Sequence, residues 1–540
     1  MSAELPVALG EGAGEPEHES GADEPRAKSL RSEVSLLDDR LFTTIAIVGL
    51  GVAIVYGILS TARQLPWPYW KDEAIAVTIA SLPPGDIPDA LRFDASPPIY
   101  YWLLHFWMQM FGSGESATAL LSVVFAIGTV VVVAVAGVRY AGLGSGILAT
   151  TWVILSTPWL LLASETRMYT LLTLLVALLV VALIEGFVAD RRPFRLTASA
   201  LLLVLALTHN WGLIFFGAAA TWFCLVERAD VKRLLRRSGY FVTPAVTYLL
   251  LWGPTLAEQL RSRVGPGVPE LEGTGAALAA IWTFGGPVLL GAAAVAVVLS
   301  GLRLPSEWAR IPTRQRSLIT LGLCSLCFLA VTYLARTLLA GWMPRYLVVL
   351  LVPVVLAASA MASWTLVGRL ALAMGLMATA LLDLSQGRQL LQEDAPPTSY
   401  AVQIDEWLDD EIGPEPRTIV ASPSSVASLR LYVGDRHRYV TPIGVVEPTG
   451  VFDYRNRLSR LQVNDRDLLE TTVGALRPDG ALVVVDEPLD GSRYYDLQSK
   501  AITWWVGQLL VARDLELVGR REVEDERTRL GYTVYVFERV

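Results

Sequence analysis

The sequence predicts a polytopic α-helical membrane protein carrying a C-terminal α/β domain outside the bilayer. Three observations lead there. The 540-residue chain is 53% hydrophobic and only 18% charged, whereas soluble proteins hold about 25% charged residues. Much of its charge lies in Met1 to Arg40 and Gln386 to Val540. The middle is a succession of apolar runs approaching the ~20 residues that a spanning helix needs, and the mean hydropathy is +0.46. The net charge of −8 belongs mainly to the tails. It offers no basic face, so no nucleic-acid partner is expected.

Residues 1–40 are acidic and rich in Gly, Pro and Glu (EGAGEPEHESGADEPRAK). They read as a disordered cytoplasmic tail rather than a signal peptide. Leu41–Ser60 is the first apolar run, a signal anchor that opens a membrane domain over 41–385. Ten more candidate spans follow: Ala117–Val138, Ile147–Ala163, Leu171–Val188, Leu196–Thr208, Leu213–Val226, Tyr240–Leu256, Ala276–Leu302, Leu318–Leu339, Tyr346–Trp364 and Leu370–Leu384. The total is about eleven.

An outer loop, 61–116, precedes the second span and carries two juxtamembrane helices. In WPYWKDEAIAVTIASLP, Trp67, Tyr69 and Trp70 resemble an interfacial aromatic belt. Ile75, Val77, Ile79 and Leu82 then predict a short amphipathic helix along the membrane surface. Ile99–Phe111 (IYYWLLHFWMQMF) follows Pro97-Pro98 and is short for a span, so it predicts an interfacial helix.

Charge assigns the sides. If Ile99–Phe111 does not cross and the N-terminus is cytoplasmic, the loops Ala189–Arg195, Glu227–Gly239 and Arg303–Ser317 all face the cytoplasm. That is the positive-inside arrangement. The chain is then a multi-pass plasma-membrane protein with its C-terminus outside. Thr61–Gly114, Glu165–Tyr169, His209 and Gly341–Arg345 share that outer side.

Conspicuous polar groups fall there. Glu165, Arg167 and Tyr169 (SETRMY) sit between two apolar spans, where ionisable groups are costly and commonly functional; a structural Glu–Arg pair sealing the turn is the other reading. Asp72 and Glu73 open the amphipathic helix, as reactive carboxylates or as partners of its dipole. Asp94 precedes Ser96-Pro97-Pro98. Arg345 and Tyr346 lie in GWMPRYL, Arg345 serving a ligand or snorkelling to headgroups. His209 in LTHNWG reads as a ligand-facing or a structural capping residue. Carboxylates, two arginines, a histidine and aromatics on one face suit an anionic lipid headgroup and a hydroxyl-bearing partner.

Cys224, Cys324 and Cys327 lie in apolar runs and read as inert buried thiols. The CxxC spacing of the last two is mid-helix, so it predicts neither a redox motif nor a zinc site.

From 386 to 540 the pattern is that of a soluble α/β domain. Ala401–Ile412, Val426–Tyr432 and Lys500–Ala512 have helical character, whereas Thr418–Ala421, Ala481–Val485 and Tyr532–Phe537 read as strands. His437 in GDRHRY is expected on its surface.

The ordered motifs WxDEA (from Trp70), DxxPPxYYxLLH (from Asp94), ExRMY (from Glu165), LTHxxG (from Leu207) and PRYL (from Pro344) resemble a known family. They are similar to the C-type-fold (GT-C) polyprenyl-phosphate-sugar-dependent glycosyltransferases, in the protein O-mannosyltransferase-like and RgtA/B/C/D-like group (glycosyltransferase family 39). The lipid A aminoarabinose transferases are relatives of that group. The resemblance covers about Leu41 to Ala360. It implies transfer of one sugar from a polyprenyl-phosphate donor in the membrane to an acceptor outside the cytoplasm, the acceptor being protein, lipid or polysaccharide. It further implies Asp72 as catalytic base with Glu73 beside it, and Arg345 and Arg167 on the donor phosphate. Asp94, Glu165, Tyr169, His209 and Tyr346 would complete the substrate site. Relatives often have His before the Pro-Pro pair, where this chain has Ser96.

The chemistry suits those residue types. An attacking hydroxyl must lose a proton to a placed carboxylate, and an arginine fork receives the charge building on the leaving phosphate. Asp72, Glu73 and Asp94 could hold a divalent cation through oxygen, but no metal site is assigned. A transporter or flippase of a lipid-linked glycan is the alternative from another class.

Overall fold

The computed structural model describes residues 23–540, except 95, 263–280, 302–307, 336–343, 393–396, 414, 447–450, 452, 464–465, 479 and 489–492. Most of the expected tail, the Arg303–Glu307 part of the third basic loop and Gly341–Met343 before Arg345 lie outside the described residues. Helix α1 already begins at Asp23 and runs to Gln64, so 23–40, expected within the tail, are helical.

The membrane domain continues with α2 (Lys71–Ala80), α3 (Ile87–Ala90), α4 (Ile99–Phe111), α5 (Glu115–Ala141), α6 (Leu143–Leu155), α7 (Thr157–Leu162) and α8 (Tyr169–Leu183). A π turn, Ile184–Val188, ends α8. Then come α9 (Arg192–Thr208), α10 (Gly212–Glu227), α11 (Val231–Leu251), α12 (Gly253–Arg261), α13 (Gly286–Gly301) and α14 (Thr313–Leu334). A 3₁₀ segment, Pro344–Leu350, leads into α15 (Leu351–Ala362), and α16 runs Leu366–Gln392, past the expected boundary at 385.

Against about eleven expected spans, six helical segments among the described residues are long and apolar enough to cross a membrane. They are Arg40–Gln64, Glu115–Ala141, Tyr169–Val188, Thr313–Leu334, Arg345–Ala362 and Leu366–Ser385. Leu143–Leu155, Gly212–Glu227 and Gly286–Gly301 are shorter apolar helices. The chain is a multi-pass membrane protein. Of the six segments, Tyr169–Val188 is 78% buried inside the protein and Arg345–Ala362 is 89% buried. The other four lie between 33% and 44%, so these two form the centre of the bundle.

Helix pairs approach closely where side chains are smallest. At the α5–α6 hairpin, a Cβ on Gly137 would sit 2.7 Å from Gly146 Cα, and one on Gly146 would sit 2.9 Å from Val138 N. Small residues that bring backbones together are a main source of helix association in lipid, where apolar burial drives little. At one end of the bundle, buried Glu185 pairs with Arg139 (3.1 Å), Arg191 (2.9 Å) and Arg314 (3.5 Å), and Glu227 pairs with Arg237 at 2.7 Å. This end carries the described basic loops and lies at the far end of α8 from Tyr169.

The C-terminal domain has α17 (Tyr400–Trp407), α18 (Val426–Val433), α19 (Arg457–Leu461), α20 (Arg466–Gly474) and α21 (Arg493–Leu510) around a six-stranded mixed sheet. Its strands are β1 (Thr418–Val420), β2 (Arg438–Thr441), β3 (Gly444–Val445), β4 (Ala481–Asp486), β5 (Leu515–Asp525) and β6 (Leu530–Arg539), in the order β3-β2-β1-β4-β6-β5. β1 lies parallel to both β2 and β4, while β6 runs antiparallel to β4 and β5. The ALVVV run of β4 is continuously apolar because both sheet faces are covered. Val483 and Val485 join the core with Tyr400, Trp407 and Leu429; Leu482 and Val484 join the core with Ile502 and Trp505.

Three expectations are corrected. Helix α2 does not lie along a surface: it is wedged between α4 and α18 of the C-terminal domain, because Ala74, Val77 and Ala427 share one cluster while Ala76 and Ile79 join the bundle core. His437 is buried, its Nδ1 accepting the Arg417 amide at 3.1 Å, because the strand entry needs that acceptor. Among the thiols only Cys324 is buried; Cys224 and Cys327 are on the bundle's exterior, where an apolar residue meets lipid at no cost.

Gly146→Val should force α5 and α6 apart and cost about 1–3 kcal/mol. The check is a thermal melt of the detergent-purified protein followed by tryptophan fluorescence. A drop of several degrees is expected, and an unchanged melting temperature would refute the tight approach.

Candidate active site

The two central segments, Tyr169–Val188 and Arg345–Ala362, open at the same end, and the site is built on their first residues. Met168 precedes α8 and leaves Tyr169 at its start, fully buried. The turn before it is held by the Arg167 amide donating to Glu165 O at 2.8 Å. Pro344 opens the 3₁₀ segment, which places Arg345 and Tyr346 together beside α8. From the third direction comes the first turn of α2. Its Glu73 accepts the Trp70 amide at 3.1 Å, closing a capping box, and the side chain of Asp72 is a quarter exposed.

Asp72 is the hub. Arg345 Nη2 donates to its Oδ2 at 2.6 Å, and Arg167 Nη2 stands 3.9 Å from the same oxygen. Arg167 also donates to the Asp72 carbonyl at 3.0 Å. The Arg345 guanidinium lies over the Trp70 ring at 5.1 Å, with Tyr169 and Tyr346 at 5.8 and 5.9 Å. Stacking of this kind fixes the fork's orientation. Three enclosed donors here, Arg167 Nε, Arg345 Nε and Tyr169 OH, have no acceptor among the described residues.

Glu73 is almost wholly buried and serves differently. Its Oε1 accepts the Thr166 amide at 2.7 Å, and its Oε2 accepts Arg527 Nη1 at 2.7 Å. Glu165 keeps some exposure as a residue, but its Oε2 is enclosed without a hydrogen-bond partner among the described residues. Burial, and then the nearby Glu73 charge, push its carboxyl up to about 8. The sealing Glu165–Arg167 pair that the sequence allowed is therefore not the arrangement found, since Arg167 turns to Asp72 instead.

His209 caps α9 with extended backbone, and its Nδ1 accepts the Trp211 amide at 3.1 Å. Its ring is 5.1 Å from Tyr346 and 6.2 Å from Tyr169. Burial, with Arg167 and Arg345 nearby, pushes it down to about 3, so it is a neutral wall of the site. Asp94 accepts Tyr101 OH at 3.1 Å, lines a small slot with Ile75, Val426 and Tyr454, and its charge acts on Arg167. Asp72, Glu73 and Asp94 do not form a metal-binding group; among the described residues there is none.

A narrow crevice runs from Tyr169 into the bundle, lined by Thr129, Val153, Trp159, Leu162, Val348 and Leu351 among others. Sequence reasoning missed Arg527, 454 positions from Glu73 and carried on a turn of the C-terminal domain. It also missed Lys71, whose Nζ donates to buried Glu487 at 3.1 Å. The one available signal for Arg527 was the need of a buried carboxylate for a cation.

No family model matches the chain, and no curated protein sequence does. Solved structures match. ArnT from Cupriavidus metallidurans bound to undecaprenyl phosphate aligns over 91% of this chain and 97% of its own, with a TM-score of 0.55 at 14% identity. The apo state of ArnT aligns over 92% and 98%, again with a TM-score of 0.55 and 14% identity. The Archaeoglobus fulgidus oligosaccharyltransferase in complex with Zn and sulfate reaches a TM-score of 0.46 at 13% identity, over 82% and 67% of the two chains. The chain has the fold of ArnT, the C-type (GT-C) fold that the motif order led one to expect.

Because His209 is held neutral, its stabilising contribution is present above its ordinary value of 6.5 and is lost as pH falls from there toward about 3. The melting temperature of His209→Gln should therefore decline less than wild type between pH 6.5 and 4. Equal slopes in melts across that window would contradict the assignment.

Proposed function

We propose that this protein is a membrane glycosyltransferase that moves one sugar from a polyprenyl-phosphate donor to an acceptor hydroxyl outside the cytoplasm, in a single inverting displacement. The observation that carries this reading is the Arg345–Asp72–Arg167 triplet beside Tyr169, at the end of the two most buried helical segments. Three guanidiniums (Arg167, Arg345, Arg527) stand near three carboxylates (Asp72, Glu73, Glu165). Burial favours the protonated form of Glu165, which lowers the negative charge of the set, and three enclosed donors stand in want of an acceptor. Those are the properties of a receiver for a phosphate diester. In this reading the crevice below Tyr169 widens to take the first isoprene units of the lipid, and the match to a structure holding undecaprenyl phosphate supports that lipid class.

In this mechanism the donor phosphate lies between Arg345 and Arg167. Both forks turn from Asp72 toward it, releasing the Asp72 carboxylate to take the acceptor proton. The acceptor oxygen forms its bond to the anomeric carbon as the carbon–oxygen bond to the phosphate breaks. The electron pair leaves on the phosphate, where the guanidiniums hold it. Tyr169, Tyr346 and neutral His209 wall the site without adding charge, and Asp94 adds negative charge near Arg167. The sugar-bearing end and the C-terminal domain are extracytoplasmic in this reading, and the N-terminus is cytoplasmic.

The test is purified protein in lipid nanodiscs with a panel of radiolabelled polyprenyl-phosphate sugars, following label leaving the lipid. Asp72→Asn should lose roughly 10²–10⁴-fold in turnover, and Arg345→Lys, which keeps charge but loses the fork, roughly tenfold or more. Near-normal transfer by Asp72→Asn would end its role as base. Transbilayer movement of the donor without transfer would favour a flippase.

A further inference from the structure

We infer that Arg527 of the C-terminal domain is a positioning residue of the active site, holding Glu73 so that the acidic pair of α2 is split between Arg527 on one side and Arg345 with Arg167 on the other. The inference rests on the glycosyltransferase reading and deepens it. The soluble domain thereby becomes part of the catalytic apparatus instead of an appendage.

Arg527 lies on the turn between β5 and β6, and its side chain is only 16% exposed. Its guanidinium is fixed at three points on the segment that leads into α2. Nη1 donates to Glu73 Oε2 at 2.7 Å and to the Pro68 carbonyl at 2.7 Å, and the group lies 5.6 Å from the Trp67 ring centre. The turn itself is rigidly built. Asp525 Oδ1 accepts the Thr528 amide at 2.9 Å and its hydroxyl at 2.8 Å, and the Arg529 amide donates to Asp525 O at 2.7 Å. Arg529 adopts φ +58°, a left-handed conformation that a non-glycine residue keeps only where its surroundings impose it. Glu526 ties the turn to the start of the domain, accepting the Thr398 amide at 2.6 Å.

The consequence for chemistry lies in how the carboxylates are shared out. Glu73 is satisfied by two amides and Arg527, so it does not compete with Asp72 for Arg345 or Arg167. Those two forks remain available for an anion. Glu165 feels Glu73, Arg527, Arg345 and Arg167, and among the cations Arg527 does most to restrain its proton affinity. Removing Arg527 leaves the buried Glu73 carboxylate short of its cation and removes the charge that most restrains Glu165, so Glu165 keeps its proton to higher pH.

The experiment uses the full-length protein in nanodiscs with the donor that wild type consumes, over a pH series. Arg527→Ala should lower kcat tenfold or more with donor KM within threefold, and move the acidic limb of the profile to higher pH. Arg527→Lys should restore part of the rate. Lys71→Met, which breaks the separate Lys71–Glu487 contact between domains, should leave the acidic limb where it is in wild type. A wild-type kcat and profile for Arg527→Ala would overturn the inference. So would losses and profile changes equal to those of Lys71→Met, which would mean that domain docking alone matters. A melting-temperature cycle with Arg527→Ala, Glu73→Gln and the double variant reads the contact without any turnover, and additive shifts would refute it. If wild type transfers no sugar from any donor while the cycle is non-additive, the glycosyltransferase reading fails and the Arg527–Glu73 pairing stands.

Discussion

The structure depends on one constraint: charges placed at the end of the two most enclosed helices must be neutralised locally. Arg345 opens a segment that is 89% buried, and Arg167 immediately precedes one that is 78% buried. In such surroundings a lone guanidinium is costly and its partners must be close. The chain supplies Asp72 from a separate helix, and the requirement that its carboxylate reach both arginines fixes where α2 sits. Glu73, one residue on, points elsewhere along the same first turn and draws in Arg527. The position of the C-terminal domain over the bundle follows from the same balance, reinforced by Lys71 with Glu487 and by Tyr432, which accepts the Tyr69 amide at 2.8 Å and donates to Glu115 at 2.9 Å.

That arrangement makes α2 a shared element. Its Ala76 and Ile79 belong to the bundle core, its Ala74 and Val77 pack with Ala427, and its N-terminal carboxylates form the floor of the site. Ionic partners between the two domains are therefore also the partners that orient reactive groups. In the proposed mechanism this arrangement exchanges one anion for another, an arriving phosphate taking the place of Asp72 on Arg345 and Arg167.

Much of this was legible in the sequence, for identifiable reasons. The Ile99–Phe111 helix has the bounds that its length and Pro97-Pro98 implied. β4 and β6 follow from a continuous apolar run and an alternating one. The polar residues of the WxDEA, ExRMY and PRYL motifs stood out because ionisable groups beside apolar spans need a reason, and the fold does bring Asp72, Glu73, Arg167 and Arg345 together. What could not be read depends on contacts remote along the chain. The burial of α2 is invisible to periodicity, since an amphipathic helix looks alike on a membrane and between two domains. Arg527 sits in ERTRLG, which has no feature of its own, and His437 is buried by a strand pairing that no local pattern encodes. Eleven spans were counted by hydropathy alone, whereas among the described residues six helical segments are long and apolar enough to cross and helices such as Gly212–Glu227 are shorter.

The central claim is that the Arg345–Asp72–Arg167 triplet receives a lipid phosphate. An electron cryo-microscopy structure of the protein in nanodiscs with undecaprenyl phosphate tests it most directly. The account predicts phosphate density within hydrogen-bonding distance of both guanidiniums, the isoprenoid entering the crevice below Tyr169, and Asp72 freed from at least one arginine. Lipid phosphate bound elsewhere, with the triplet unchanged, would contradict it.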